Sequence, residues 1–171
     1  TRIIYSEEQH TDQTGFDNWL IFKANSYYDL SVSDGDLTSI DGIEHDKVLV
    51  RSDNVSRIFN AYNVIQTDAL NLQVGSGGMF KTRPQDFAIT DIGYAGSQHR
   101  DILHTEYGHI WVDSKRANVF NLSTGGSGLD ELSKNGMKHW FKQNLPFEIK
   151  KHFPEIDTDN NLNGIGISLC Y

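Results

Sequence analysis

The sequence has little cysteine, little proline and no long apolar run. Cys170 is the only cysteine among 171 residues, which excludes an internal disulfide and a zinc site built from several thiolates. The three prolines leave most of the chain free to form regular structure. No apolar stretch approaches the ~20 residues that a helix needs to span a bilayer, and no signal peptide is visible. We therefore expect no membrane partner.

Positive charge is also scarce. Fifteen Lys and Arg residues oppose 23 Asp and Glu residues, which gives a net charge of −8 and an isoelectric point near 5.2. A protein that grips nucleic acid must neutralise phosphates with basic side chains. The charge therefore excludes a sequence reader or a DNA clamp, but it is compatible with a surface that DNA passes without sticking.

What is present suits one folded unit. Hydrophobic residues make up 37% and aromatic residues 11% of the chain, which is too much for a disordered tail. The chain starts at Thr1 rather than Met, and it stops at Tyr171 inside an apolar alternating run, so we expect a segment of a larger protein. We predict a single β-rich segment over residues 1–171, with hairpin repeats at about 37–125, a helical insertion at about 129–154 and a terminal strand at 164–171.

The hairpin repeats rest on short β-like runs. Residues 47–51 and 57–62 predict one hairpin, and residues 101–106 and 109–113 predict a second, followed by a strand at 118–122. Before the first hairpin, Leu37 to Ile40 reads as a strand that ends at the turn signal Asp41-Gly42. Nearer the N-terminus, residues 16–23 are compatible with a strand or a short helix.

The two hairpins are weakly similar to each other. Placing Val48 on Ile102 brings Ile58 near Ile110, an offset of roughly 54 residues that is close to the repeat length of propeller blades. Repeated hairpins joined by Gly-rich linkers suit a blade better than a sandwich. We therefore predict a mainly β fold with propeller-like blades that form an incomplete part of a larger fold.

The helical insertion is predicted as two short helices. Ser133 is a suitable cap for a helix that runs to about Gln143, and Pro146 is expected to end it. Residues 147–153 then predict a second short helix that stops before Pro154.

Several patterns approach a binding site without completing it. The loop at 75–82 resembles a phosphate loop, but Phe80 stands where Gly must precede the Lys and no helix follows. Asp157, Asp159 and Asn161 alternate as in a calcium loop, but the Gly and Glu of that loop are missing. We interpret both as turns, and we predict no cofactor and no metal site.

Catalytic patterns are equally incomplete. His99, His104 and His109 lie five residues apart, which is not the spacing of a helical metal pair. Cys170 lies in an apolar pattern, where a thiol behaves as a small hydrophobe. Carboxylates suited to glycoside hydrolysis are common in so acidic a chain, so spacing identifies no pair; they include Asp91, Asp101, Glu106 and Asp113. We predict no catalytic residue and no enzyme.

Several longer segments carry a resemblance to a known family. They include Gly75-Ser76-Gly77-Gly78-Met79-Phe80 and Gly93-Tyr94-Ala95-Gly96-Ser97-Gln98-His99, the run 106–116, and residues 60–64, 83–85, 128–133 and 137–141. Together they resemble the tail muzzle or nozzle-type (stabilisation) structural proteins of crAss-like phages. The resemblance covers most of the chain from about residue 16 onward.

The resemblance implies a structural virion component near the portal that helps to retain or guide DNA. It implies contacts with tail, ring and portal-proximal subunits, a ring of copies, and non-specific passage of genomic DNA. The alternative is a tail-associated carbohydrate-binding or glycan-cleaving propeller module, in which aromatic side chains stack on sugars and carboxylates cleave them.

Overall fold

The computed structural model describes residues 1–9, 17–67, 70–75, 77–86, 102–113, 116–124, 128–155 and 170. These residues form a mainly β structure, as predicted, and contain one α-helix. Among them, no helix has the length and apolarity that crossing a bilayer requires. The predicted terminal strand at 164–171 lies outside the described residues except for residue 170.

The strands occur in four antiparallel sheets. Their bounds are β1 Arg2–Ile4, β2 Tyr27–Asp29, β3 Leu37–Glu44, β4 Lys47–Ser52, β5 Ser56–Asn60, β6 Tyr62–Thr67, β7 Leu70–Gly75, β8 Gln85–Asp86, β9 Ile102–Thr105, β10 Gly108–Asp113, β11 Asn118–Ser123 and β12 Leu129–Glu131. The helix α1 spans Lys138–His152, and short 3₁₀ turns lie at Asn18–Leu20, Val32–Asp34 and Leu132–Lys134.

The first four-stranded sheet has the order β3-β4-β5-β8. The predicted hairpin of β4 and β5 is confirmed, with Leu49 opposite Ile58. The turn predicted at Asp41-Gly42 is wrong, because β3 continues through Gly42 and the chain reverses after Glu44. A register shift between Gly42 and Glu44 shows that Gly42 is next to an irregularity in the strand, which is a common position for glycine inside a sheet.

The second four-stranded sheet has the order β9-β10-β11-β12. The predicted hairpin of β9 and β10 is confirmed, and β11 extends the sheet as expected. Gly108 starts β10 at a φ of 152°, and a Cβ there would lie 2.3 Å from the carbonyl oxygen of Leu122. Glycine at this position therefore allows the close approach of β10 and β11.

The two four-stranded sheets pack face to face. Leu49 and Ile58 from the first sheet contact Trp111, Phe120 and Leu122 from the second, and all five side chains are buried. Each side chain lies on the inward face of its strand, in accord with the alternation of β structure. This cluster is the seam that joins the sheets.

The opposite face of the first sheet is also covered. Ile3 and Leu30, from the region of the β1–β2 hairpin, pack with Val50 and Phe59 of the first sheet. Phe80, from the turn that follows β7, lies with its ring centroid 5.0 Å from that of Phe59. The first sheet is therefore the middle of three layers.

The β4–β5 pair of the first sheet is equivalent to the β10–β11 pair of the second sheet, at a different offset from the predicted one. Leu49 pairs with Ile58 and Trp111 pairs with Phe120, so equivalent positions lie 62 residues apart (49 to 111, and 58 to 120). The offset of roughly 54 residues is wrong because it placed β4, the second strand of its sheet, on β9, the first of its own. Apolar residue type alone does not identify a strand's place in its sheet.

A buried charge lies at the seam. Arg51 is fully buried, and its guanidinium donates to the carboxylate of Asp41 from Nη2 at 2.9 Å and from Nε at 3.2 Å. The same guanidinium lies 5.7 Å from the ring centroid of Trp111, within the range of a cation–π contact. Arg51 therefore links β3, β4 and the second sheet.

The helical region departs from the prediction. One helix of 15 residues replaces the two predicted short helices, and Pro146 lies inside it. Proline removes one backbone hydrogen bond from a helix, but it does not prevent continuation where packing favours it. Half-buried Phe141, Leu145 and Ile149 follow a single stripe on both sides of Pro146 and hold the helix in one piece. Before α1, Leu129–Glu131 belongs to the second sheet rather than to the helical insertion.

Candidate functional site

The helix α1 is exposed along its whole length. None of its 15 residues is buried, although it carries a Trp and two Phe side chains. Its main contacts are with β11 and with the 3₁₀ turn Leu132–Lys134. Large aromatic side chains are normally buried at least in part, so an aromatic helix without a buried residue is a candidate contact surface.

Two aromatic side chains of α1 form a face that points away from the sheets. The half-buried residues Phe141, Leu145 and Ile149 mark the inner side of the helix. Trp140 and Phe147 are 53% and 63% exposed, and a helical turn of 3.6 residues places both on the opposite side. They are seven residues apart, which puts them about 10 Å apart along the helix axis. Spacing of this kind is typical of a helix that inserts anchors into a groove.

The start of α1 is fixed to the second sheet by charge. Glu131, at the end of β12, is buried, and its carboxylate lies 3.0 Å from Nζ of Lys134 and 3.8 Å from Nζ of Lys138. The hydroxyl of Ser133 also donates to Glu131, at 3.2 Å. Ser133, the predicted helix cap, is therefore an anchor before the helix, since α1 begins five residues later.

The charge of the chain is segregated between α1 and the remainder. Four of the 15 Lys and Arg residues lie in α1, but only one of the 23 Asp and Glu residues does. The helix therefore carries +3 and the remaining residues carry −11, with His neutral. The basic residues of the last turn, Lys150, Lys151 and His152, also lie at the negative end of the helix dipole, where cations are favourable.

A second exposed apolar surface lies near the N-terminus. The four consecutive residues Trp19, Leu20, Ile21 and Phe22 are each between 44% and 59% exposed. In the region that the sequence left open between a strand and a short helix, residues Asn18–Leu20 form a 3₁₀ turn and residues 21–23 form neither. We call these four residues the apolar run.

A groove of about 990 Å³ borders the apolar run. The backbone amide of Glu7 donates to the carbonyl oxygen of Ile21 at 2.9 Å and holds the two segments together along one side. Acidic, basic and aromatic side chains all line the groove; among them are Tyr5, Glu7, Glu8, Ile21, Lys23, Tyr62, Phe80 and Lys81. The carboxylate of Glu7 pairs with Nζ of Lys23 at 3.1 Å, which lowers the pKa of Glu7.

The glycine loop that resembles a phosphate loop has a packing role. Gly77 and Gly78 adopt positive φ values of 78° and 139°. The two residues that follow, Met79 and Phe80, pack against the buried cluster of the first sheet. The interpretation of this loop as a turn is supported by its geometry.

Two of the three histidines meet across the second sheet. His104 of β9 pairs with His109 of β10, and their Nδ1 atoms lie 2.7 Å apart. Burial lowers the pKa of His109, and His104 lowers it further, while Glu44 and Asp41 act in the opposite direction. No group of three or more His, Cys, Asp or Glu side chains suited to a metal ion occurs in the ranges that the structure describes. His99 lies outside them.

The two candidate carboxylates that the structure describes, Glu106 and Asp113, lie at opposite ends of β10. Asp113 is fully buried and pairs with Arg116 at 3.1 Å, whereas Glu106 is exposed beside the β9–β10 turn. Asp91 and Asp101 lie outside the described residues, as does the calcium-like loop of Asp157, Asp159 and Asn161. Cys170 is exposed, and the other residues of the predicted terminal strand around it lie outside the described residues.

Sequence reasoning missed both exposed surfaces. The three tryptophans of the chain differ sharply in the structure: Trp111 is fully buried, whereas Trp19 and Trp140 are more than half exposed. The signal available for α1 was its charge, because the cluster of lysines between residues 138 and 151 stands out in an acidic chain. The groove left no signal, since its lining comes from separate segments.

Comparison with known proteins identifies the family. A family model described as Crassvirus muzzle protein matches residues 1–163. No curated protein and no solved structure matches the chain. The match extends over nearly the whole chain and confirms the resemblance to muzzle proteins of crAss-like phages. The chain therefore belongs to the Crassvirus muzzle protein family and is a structural component of the virion tail.

Proposed function

We propose that the chain is part of a muzzle assembly near the portal, in which copies form a ring that helps to retain or guide the genome. This ring of copies contacts three further kinds of virion subunit: tail subunits, ring-protein subunits and subunits close to the portal. The observation that carries this proposal is the pair of exposed apolar surfaces, α1 and the apolar run, on a chain of the muzzle family. Exposed apolar surface of this kind marks contacts between proteins.

The sheet architecture supports a blade-like segment within a larger subunit. Both large sheets are four-stranded, antiparallel and ordered along the chain, and they stack face to face through one apolar seam. Adjacent blades of a propeller are four-stranded sheets. We propose that residues 1–171 form one β-rich segment in which these two sheets are blade-like repeats.

The charge supports a passive role toward DNA. Outside α1 the chain carries −11, and an acidic surface repels phosphate and disfavours adhesion. We propose that an acidic face of the ring lines the path of the genome and lets DNA pass. The proposed role needs no catalytic step, and the protein acts without a cofactor.

Imaging of the virion tests this proposal. Purified particles are labelled with antibodies raised against the chain, and the label is located by electron microscopy. The proposal predicts label at the tail close to the portal and, in a symmetry-averaged reconstruction, copies around the tail axis. Label confined to distal fibres, or a single copy away from the axis, would contradict it.

A matched assay separates the glycan alternative. The chain is incubated with a glycan array and with bacterial surface polysaccharide, and bound and released sugars are measured. The proposal predicts neither specific binding nor release. Sugar release that is abolished by Glu106→Gln and retained by Asp130→Asn, an exposed acid on β12, would favour the glycan-cleaving alternative.

A further inference from the structure

The hairpin of β6 and β7 is a two-stranded sheet with open edges in the described part of the chain. Its strands pair there only with each other, from Tyr62 opposite Gly75 to Thr67 opposite Leu70. No other strand or helix that the structure describes packs extensively against them. A two-stranded hairpin is at best marginally stable in water unless a further strand or a packed surface supports it. The β6–β7 hairpin is therefore a candidate for pairing with another strand.

The sequence of this hairpin lacks the features that normally protect an open strand edge. Residues 62–75 contain no Lys, Arg or Pro and one charged residue, Asp68, although 22% of the whole chain is charged. Edge strands that stay unpaired commonly carry charged residues or prolines. Three edge strands of the large sheets follow that rule, with Asp41 in β3, Asp86 in β8 and Asp130 in β12. The β6–β7 hairpin does not, and its composition favours the addition of a strand.

Two exposed side chains of β7 give the hairpin an apolar face. Leu72 and Val74 are 51% and 41% exposed, and they lie two residues apart, so they share one face of the strand. A strand added beside β7 would bring side chains next to both as direct or diagonal neighbours. Pairing at this edge would therefore satisfy backbone groups and cover apolar surface in the same step.

Charge favours a second copy of the chain as the source of the added strand. Each copy carries −8, so the acidic surfaces of two copies repel each other. Because β6 and β7 contain no charged residue, two hairpins can lie side by side without placing like charges opposite each other. A strand such as β3 or β12 beside β7 would instead bring the carboxylate of Asp41 or Asp130 to an uncharged strand, at a cost in desolvation.

We infer that the hairpin pairs edge to edge with the same hairpin of a neighbouring copy, so that β7 of one copy lies beside β6 of the next. The inference rests on the proposed ring and names the strands that join its copies. Copies related by rotation about one axis keep the same strand direction, so β7 beside a second β7 would be parallel. Because β6 and β7 are antiparallel within a copy, β7 beside β6 of the next copy is antiparallel, which is the more stable pairing. Repetition around a ring closes the sheet and leaves no open edge.

Two variants remove the proposed contact. In the charged variant, Leu72→Lys/Val74→Lys places on β7 the residue that commonly protects edge strands. In the deletion variant, two glycines replace residues 62–75, since the ends of paired strands lie only about 5 Å apart. The matched control is Ile4→Lys/Ile40→Lys, which adds the same charge at residues of β1 and β3 that are 62% and 46% exposed.

Circular dichroism and thermal unfolding first establish that every variant is folded. All four substituted side chains are exposed, and no residue of the hairpin belongs to the buried cluster between the large sheets. We therefore expect the melting temperatures of the charged variant and its control to be close to that of the unaltered chain. The deletion variant repeats the test without relying on the added charges.

Analytical ultracentrifugation over a concentration series measures mass, and hydrogen–deuterium exchange on the same samples locates the contact. We expect the unaltered chain and the control to form assemblies larger than a dimer. Both hairpin variants are expected to lose this association, the charged variant sedimenting at the mass of one chain, close to 19.4 kDa. On assembly of the unaltered chain, amides of β6 and β7 are expected to become protected, whereas those of β3 are not.

Four outcomes would overturn the inference. If the unaltered chain is monomeric throughout, or if the hairpin variants assemble as the control does, the hairpin does not join copies. Assembly that stops at a dimer would contradict the pairing of β7 with β6, because that pairing leaves one free edge at each end of a dimer. Protection confined to α1 or to the apolar run would place the contact there instead. None of these results moves the label in the virion, so a failure of this inference is distinct from a failure of the proposed tail role.

Discussion

Aromatic and basic side chains are buried between the stacked sheets but exposed on the helix α1. Trp111 and Phe120 are sealed between the sheets, whereas Trp140 and Phe147 stand on α1 in contact with solvent. Charge follows the same division. Arg51 is fully buried at the seam with a carboxylate partner, whereas the lysines of α1 lie largely at the surface.

The difference shows that stability and assembly are assigned to separate parts of the chain. Burial of apolar surface between two sheets stabilises the fold within one copy. The aromatic face of α1 contributes little to that fold and is available for a contact with another protein. Substitutions between the sheets should therefore lower the free energy of unfolding strongly, whereas substitutions on the outer face of α1 should change it little. The following predictions test this contrast, from the largest expected effect to the smallest.

The largest expected effect is at the seam. Trp111→Ala removes a fully buried side chain that contacts both sheets, and it leaves a cavity that neighbouring strands fill only in part. We expect a loss of about 3–5 kcal/mol in the free energy of unfolding. Urea denaturation followed by circular dichroism measures the loss. A change below about 1 kcal/mol would show that the sheets do not depend on this cluster.

The second largest effect is expected when the buried guanidinium of Arg51 is removed. Arg51→Met leaves the carboxylate of Asp41, which is only 15% exposed, without its cationic partner. We expect a loss of about 2–3 kcal/mol in the free energy of unfolding. The matched control is Arg2→Met, which removes a guanidinium from an exposed pair with Asp29. Equal losses in the two variants would contradict the distinction between buried and exposed pairs.

A smaller effect is a loss of stability on mild acidification through His109. Its pKa is lowered in the folded chain, chiefly by burial, so the unfolded chain binds the proton more readily. Stability is therefore complete above the usual histidine pKa of about 6.5 and falls as the pH drops through that value toward the folded pKa. Protonation of both rings would also leave the Nδ1 contact between His104 and His109 without an acceptor.

Thermal unfolding between about pH 7.5 and pH 5.5 measures this dependence on both sides of the usual pKa. His109→Gln is expected to flatten the fall in melting temperature over this range. His139→Gln changes an exposed histidine on α1 and is expected to leave the profile unaltered. A profile that His109→Gln does not change would rule out this histidine as the origin of the effect.

The smallest effect on stability is on the outer face of α1. Trp140→Ala removes as large a side chain as Trp111→Ala does, but from a position that is 53% exposed. We expect the free energy of unfolding to change by less than about 0.5 kcal/mol. Denaturation under the conditions used for Trp111→Ala measures it. A loss comparable to that of Trp111→Ala would place Trp140 in the core of this copy.

Local patterns were sufficient to predict the hairpins. Two short apolar runs, Val48 to Val50 and Ile58 to Phe59, flank a polar turn, and the β4–β5 hairpin follows from this short-range signal. The β9–β10 hairpin follows from a similar signal around Tyr107-Gly108. Strand pairing between neighbours in sequence needs no information from the rest of the chain.

Features that depend on contacts between residues far apart in the chain could not be predicted from the sequence. The continuation of α1 through Pro146 depends on the packing of the half-buried side chains on both sides of it, and the proline by itself does not reveal that packing. Gly42 reads as a turn in isolation, yet its strand is held by six pairings between β3 and β4. The burial of Arg51 depends on Asp41 and on Trp111 from the other sheet, which no spacing rule brings together.

Hydrogen–deuterium exchange on the isolated chain and on intact virions tests the division of roles most directly. In the isolated chain, the account predicts slow exchange for amides of β4, β5, β10 and β11 and fast exchange for those of α1, because local opening of an exposed helix costs little free energy. In the virion, α1 is predicted to become protected while the strands change little. Protection of α1 in the isolated chain equal to that of β10, or no gain of protection on assembly, would contradict the account.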